Sequence, residues 1–249
     1  MPLNYTVKGQ GNKNIILLHG WGGSLHSLQG LQDELTKTPE YRVYNIELPG
    51  FGESLIPAGK VMTLDDYVSS LNTFLESSKI NKPVLVGHSF GGKIALAYAI
   101  KYGHKVQNLI LVNSSGLKPK NSLKKYVLIL PTKAFGLLFS LPLLNVFKSP
   151  IRSIYYKFIV RERDYLRAKE LQDTLKNVLK INLDDQIDKI KNDTLLIWGE
   201  KDSYTPVWMG EKFSKLLVNA RLEVIQGAKH NLPIVNPQIV SSMIRLHIK

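Results

Sequence analysis

The sequence predicts an α/β fold, a doubly wound and mostly parallel sheet with a helical insertion, on three observations. Apolar runs rich in Val, Ile and Leu alternate with helical patterns along most of the chain. The alternation stops at Ser115 and resumes near Thr194, with a mainly helical stretch between. A Gly-x-Ser-x-Gly pentapeptide, Gly87-His88-Ser89-Phe90-Gly91, stands between an apolar run and a small-residue helix.

The candidate strands are Asn4–Lys8, Asn14–His19, Arg42–Glu47, Pro83–Gly87, Val106–Asn113, Thr194–Gly199 and Arg221–Gln226. The central ones are continuous apolar runs, as parallel strands covered on both faces require. Helical patterns fill the gaps at Leu25–Lys37, Thr63–Ser78, Ser89–Tyr102, Val207–Leu217 and Pro237–His247. Thr63 ahead of Asp65 and Asp66 is a helix-start signal, with acidic side chains at the positive end of the helix dipole.

The pentapeptide has the strand–turn–helix context that a nucleophilic serine needs. A tight turn there strains the central residue, and glycines on either side let strand and helix approach closely. A serine serving only as a helix cap would not need them. By chance alone the bare motif occurs in about one chain in ten of this length. Its context is what gives it weight: an acid follows a later strand in Trp198-Gly199-Glu200-Lys201-Asp202, then a histidine in Gly227-Ala228-Lys229-His230. After the strand Ile15–Leu18 comes His19-Gly20-Trp21-Gly22-Gly23, a loop able to offer a backbone N–H to an oxyanion.

Composition sets bounds on the rest. The 249 residues are 44% hydrophobic, enough for one core with an insertion. With no cysteine, thiol catalysis, disulfides and Cys-based metal sites are excluded. The histidines show no metal-ligand spacing, so no metal or cofactor is expected. The first residues lack a signal-peptide pattern, and a cytoplasmic location is the expectation. The net charge is +13, of which +10 falls between Leu117 and Lys180. Such an excess is either a solvated lysine-rich surface or a field that attracts acidic substrates or an anionic membrane. No nucleic-acid-binding module accompanies it, so nucleic acid is not an expected partner.

These motifs together resemble the α/β-hydrolase superfamily, in its capped serine esterase, lactonase and C–C hydrolase type. Leu48-Pro49-Gly50-Phe51-Gly52-Glu53-Ser54 adds a further match. Glu47 stands where these proteins usually have Asp, and Lys229 where a Gly often precedes the histidine. The resemblance implies a core of residues 1–116 and 190–249 with a helical cap at 117–189. Within the cap, Tyr126–Phe147 is strongly apolar but interrupted by Pro131, Lys133 and Pro142, which speaks against a membrane span. Short helices roofing the site are expected there, with weak contact to an anionic membrane surface through Lys124, Lys125, Lys148 and Arg152 as the alternative.

The same resemblance implies roles. Ser89 is the nucleophile, His230 the base and Asp202 the acid that orients it, chosen over Glu200 because the pattern ends on Asp202. The backbone amides of Trp21 and Phe90 form the oxyanion hole. His19 and His88 are expected to hold loops by hydrogen bonds, and His26, His104 and His247 to lie on the surface. A serine rather than an aspartate at the elbow argues against epoxide and haloalkane hydrolysis. The expected reaction is hydrolysis of a hydrophobic carboxylic ester or lactone. C–C bond hydrolysis and a ligand receptor with little turnover are the alternatives.

Overall fold

The computed structural model describes residues 2–118 and 171–248. Residues 2–117 and 173–248 make one compact unit. Most of the expected cap, including Tyr126–Phe147 and the basic residues flanking it, lies outside the described residues.

Seven strands form one sheet: β1 (Tyr5–Lys8), β2 (Lys13–Leu18), β3 (Tyr41–Ile46), β4 (Val84–His88), β5 (Asn108–Val112), β6 (Asp193–Gly199) and β7 (Ala220–Ile225). Their spatial order is β1-β3-β2-β4-β5-β6-β7. Only β1 runs antiparallel to its neighbour. All seven expected strands are present. β5 is shorter than its apolar run because Gly103–Lys105 closes a tight helical turn and Asn113 leaves the strand at φ +45°.

Helices cover both faces of the sheet. Ile15 and Leu17 of β2 pack with Leu28, Leu31 and Leu35 of α1 (Leu25–Leu35) and with Val240 and Ile244 of α7 (Pro237–His247). The alternate residues Ile16 and Leu18 are equally inaccessible, so the opposite face is buried too. There Trp198 of β6 meets Phe213 of α5 (Val207–Leu216), ring centres 6.0 Å apart. α2 (Leu64–Ser77) and α3 (Phe90–Tyr102) complete the described helices before the insertion. Thr63 caps α2 as expected, accepting the Asp66 N–H while the Asp66 carboxylate accepts the Thr63 N–H. Such a box is worth about 1 kcal/mol.

The chain passes from β2 to β3 on one side, then to β4 on the other side of β2. Where strand order reverses in this way, the loops at the carboxyl ends diverge and leave a crevice. Both the 19–23 loop and Ser89 follow the ends of these two central strands.

After the insertion the chain re-enters through α4 (Gln172–Lys180) and a helical turn at Asp184–Lys189. The sequence reading places residues 173–189 in the cap; here they pack within the core unit. Thr174 Oγ1 accepts the Met62 N–H at 2.9 Å, and Leu183 donates to Gly116 O at 3.0 Å. Lys93 of α3, itself buried, donates to the Val178 and Ile181 carbonyls at the end of α4. A short α6 (Leu232–Val235) precedes α7. Among the described residues, no helix is long and apolar enough to cross a membrane.

Candidate active site

Ser89 joins β4 to α3 with φ 51° and ψ −111°, a conformation that costs about 1–3 kcal/mol in a non-glycine residue. Main-chain bonds hold it there. Its N–H donates to Val112 O at 3.1 Å, and its carbonyl accepts from the N–H groups of Lys93 and Ser115. The flanking glycines are sterically required: a Cβ on Gly87 would lie 2.5 Å from Gly92 Cα, and one on Gly91 would lie 2.1 Å from Leu18 O. Although Ser89 occupies the N-cap position of α3, its side chain makes no capping bond.

The hydroxyl is directed elsewhere. Ser89 Oγ is 3.0 Å from His230 Nε2, and His230 Nδ1 is 2.7 Å from Asp202 Oδ2. A carboxylate facing Nδ1 requires the proton on that nitrogen, which leaves Nε2 to accept from the serine hydroxyl. The Asp202 side chain is fully buried. Its charge is compensated by the N–H groups of Tyr204 and Thr205 on Oδ1, at 2.8 and 2.9 Å, and by Thr205 Oγ1 at 2.8 Å from Oδ2. The ring centres of Tyr204 and His88 each lie 5.0 Å from that of His230. Glu200, the rival acid, is exposed and instead accepts the Gly227 N–H at 2.8 Å.

The fold has relatives among known proteins. The family profile described as alpha/beta hydrolase fold matches residues 13–132. The pimeloyl-[acyl-carrier protein] methyl ester esterase of Wigglesworthia glossinidia brevipalpis is 26% identical, over 100% of this chain and 98% of that protein. A 2-hydroxy-6-oxononadienedioate/2-hydroxy-6-oxononatrienedioate hydrolase of Paraburkholderia phymatum is 26% identical, over 92% and 85%. The crystal structure of an alpha/beta hydrolase enzyme from a sediment metagenome of the Mar Chica lagoon superposes with a TM-score of 0.71 at 23% identity, over 98% and 93%.

The chain has the α/β-hydrolase fold.

In this α/β-hydrolase fold the 19–23 loop is fixed by the ring of His19. His19 Nε2 accepts the Leu48 N–H at 3.0 Å, so Nδ1 carries the proton and donates to Gly20 O at 2.7 Å. The Gly23 N–H also donates to Gly20 O, closing a turn that does not use the Trp21 amide. The Trp21 ring meets Phe51 and Phe90 edge-on, with centres 5.1 and 5.2 Å apart. The loop comes so close that a Cβ on Gly20 would lie 3.3 Å from Ser89 Cβ. Phe90 opens α3, where N–H groups have no partner within the helix. Glu47, which replaces the usual Asp, spreads its carboxylate over the Asn4 side chain and the N–H groups of Leu25 and Glu53. Burial pushes its pKa up, but these bonds and the nearby His19 outweigh it and the net shift is downward.

His88 is buried, and its pKa is pushed down to about 3, first by desolvation and then by the neighbouring His230. It is therefore neutral with a single N–H, which Nε2 donates to the His230 carbonyl at 2.9 Å. The loop-holding roles expected of His19 and His88 are present. His26 and His104 are exposed as expected, but His247 is not: its side chain is only 11% accessible and lies 3.4 Å from Asp193. The helix α7 turns that edge inward against β6, which a single histidine near a chain end does not reveal.

Two residues at the site have no place in the sequence reading. Thr205 is signalled only by the spacing Asp202-Ser203-Tyr204-Thr205, in which the Asp side chain closes a turn on the N–H groups two and three residues on. Asn113 reads as the last residue of a strand.

Proposed function

We propose that this hydrolase cleaves carboxylic esters or lactones of small to medium hydrophobic substrates through a covalent acyl-enzyme. The observation that carries the reading is the continuous chain from Ser89 Oγ through His230 to the buried Asp202 carboxylate. His230 Nε2 takes the hydroxyl proton as Ser89 Oγ attacks the carbonyl carbon. The imidazolium formed is stabilised by Asp202, which its contacts with Tyr204 and Thr205 hold in orientation. The tetrahedral oxyanion is met by the amides of Trp21 and Phe90, each worth about 3–4 kcal/mol. His230 then returns the proton to the alkoxide leaving group. Water, deprotonated by the same nitrogen, attacks the acyl-enzyme and releases the acid and free Ser89.

The insertion 118–172 is the cap in this reading. Its excess of positive charge gives weak contact with an anionic membrane surface. Any such contact weakens as added salt shortens the Debye length from about 10 Å at 0.1 M.

Cleavage of a C–C bond is the second reading, supported by the similarity to the Paraburkholderia hydrolase of 2-hydroxy-6-oxo-dienedioates. The two are separated by steady-state assays on p-nitrophenyl esters from acetate to laurate, an acyl-lactone and a vinylogous diketone. Multiple turnover of esters, abolished in Ser89→Ala, is the expected result. Turnover of the diketone alone would favour the second reading.

A further inference from the structure

Asn113 follows β5, is fully buried, and is one of four non-glycine residues described with positive φ. Every polar group it carries is engaged. Its N–H donates to Ile197 O of β6 at 3.0 Å, and its carbonyl lies 2.9 Å from Thr205 Oγ1, whose single proton it shares with Asp202 Oδ2. Oδ1 accepts the Gly199 N–H at 2.8 Å, at the start of the loop that carries Asp202. Nδ2 donates to the carbonyls of Lys229 and His230 at 3.0 and 2.9 Å. The His230 carbonyl thus receives two donors, one from Asn113 and one from His88.

We infer that Asn113 is a positioning residue for the hydrolytic relay, holding the Asp202 and His230 loops in register with Ser89. This role rests on the proposed Ser89–His230–Asp202 mechanism. Three chemical demands meet at this one position. The backbone must enter the left-handed region, which Gly, Asn and Asp tolerate best. The side chain must accept from one N–H and donate to two carbonyls. Glycine supplies neither function, and aspartate would turn a charge toward the carbonyl oxygens of Lys229 and His230. Asparagine alone meets all three. His88 grips the same carbonyl from the end of β4, one residue before Ser89, so two adjacent strands fix the base relative to the nucleophile. A shift of the order of 1 Å in such a site costs about 100-fold in rate.

The test uses Asn113→Gly, which keeps the positive φ without strain, and Asn113→Ala, with p-nitrophenyl butyrate as substrate. Active sites are counted by labelling with a fluorophosphonate, so that kcat is expressed per competent molecule. In Asn113→Gly, kcat per labelled site is expected to fall about 10–100-fold with KM within about threefold, and the rate constant for Ser89 labelling to fall in parallel. A role in folding alone would lower the labelled fraction and leave kcat per site unchanged; that result overturns the inference, as does a change confined to KM. If Asn113→Gly cannot be purified folded, Asn113→Ala carries the same readout. Failure of the wild-type protein to label at Ser89 is a different result, and overturns the underlying mechanism itself.

Discussion

His88 Nε2 donates to the main-chain carbonyl of His230 at 2.9 Å, across 142 residues of sequence. The last residue of the strand that presents Ser89 therefore holds the loop that presents the base. Burial keeps His88 neutral at physiological pH, so its single N–H is committed to this bond.

That neutrality has a thermodynamic consequence. The pKa of His88 is about 3 in the folded chain against 6.5 in the unfolded one. Between those values the unfolded state binds the extra proton, so stability is full above pH 6.5 and declines as pH falls toward 3, by roughly 1 kcal/mol per pH unit. His88→Gln, which keeps a donor but does not titrate, is expected to show a shallower decline. Urea melts of both proteins at pH 7 and pH 5 check this; equal declines would contradict it.

Lys93 behaves in the same sense at higher pH. Burial pushes its pKa down to about 8, below the unfolded value of 10.5. Over that interval the unfolded state binds more protons, so this group makes stability rise from about pH 8 to 10.5. Lys93→Met removes that contribution and leaves two carbonyls at the end of α4 without their donor, at a cost of about 1–3 kcal/mol. Denaturant melts at pH 7.5 and pH 9.5 measure both effects, the first as an offset and the second as a difference in slope.

Strain at Ser89 predicts a trade of stability against activity. Ser89→Gly is expected to raise unfolding free energy by about 1 kcal/mol, because glycine takes φ 51° without steric cost, while hydrolysis is lost. Ser89→Ala loses hydrolysis without that gain. Paired melting curves and ester assays distinguish the two variants.

Trp21 contributes its backbone amide in the proposed mechanism, and its buried indole Nε1 has no hydrogen-bond partner among the described residues. Trp21→Phe is therefore expected to keep kcat within about threefold and not to lower stability, since it removes an unsatisfied donor while retaining the aromatic contacts with Phe51 and Phe90. A 100-fold loss in kcat would mean that the indole itself touches the reacting groups.

The strands were legible because β2, β4, β5 and β6 are unbroken Val, Ile and Leu runs, and parallel strands buried on both faces leave little else that such runs can be. Ser89, Asp202 and His230 were legible because each follows a strand inside a short motif. Asn113 was not, since its hydrogen bonds run to Lys229 and His230, 116 and 117 residues away, and nothing local marks them. Thr205 is hidden for a related reason: its turn on Asp202 is local, but its contact with Asn113 forms only when the sheet brings β5 and β6 together. The end of the insertion is not legible because α4 has an amphipathic pattern equally suited to a cap or a core, and the bonds from Lys93 and Met62 that tie it to the core are not local.

The most direct test of the account is to trap the enzyme with a fluorophosphonate and map the adduct by mass spectrometry of the intact chain and its peptides. The account predicts a single adduct on Ser89, absent from Ser89→Ala and formed more slowly in His230→Ala. Ester turnover by a chain that forms no adduct at Ser89 would contradict it.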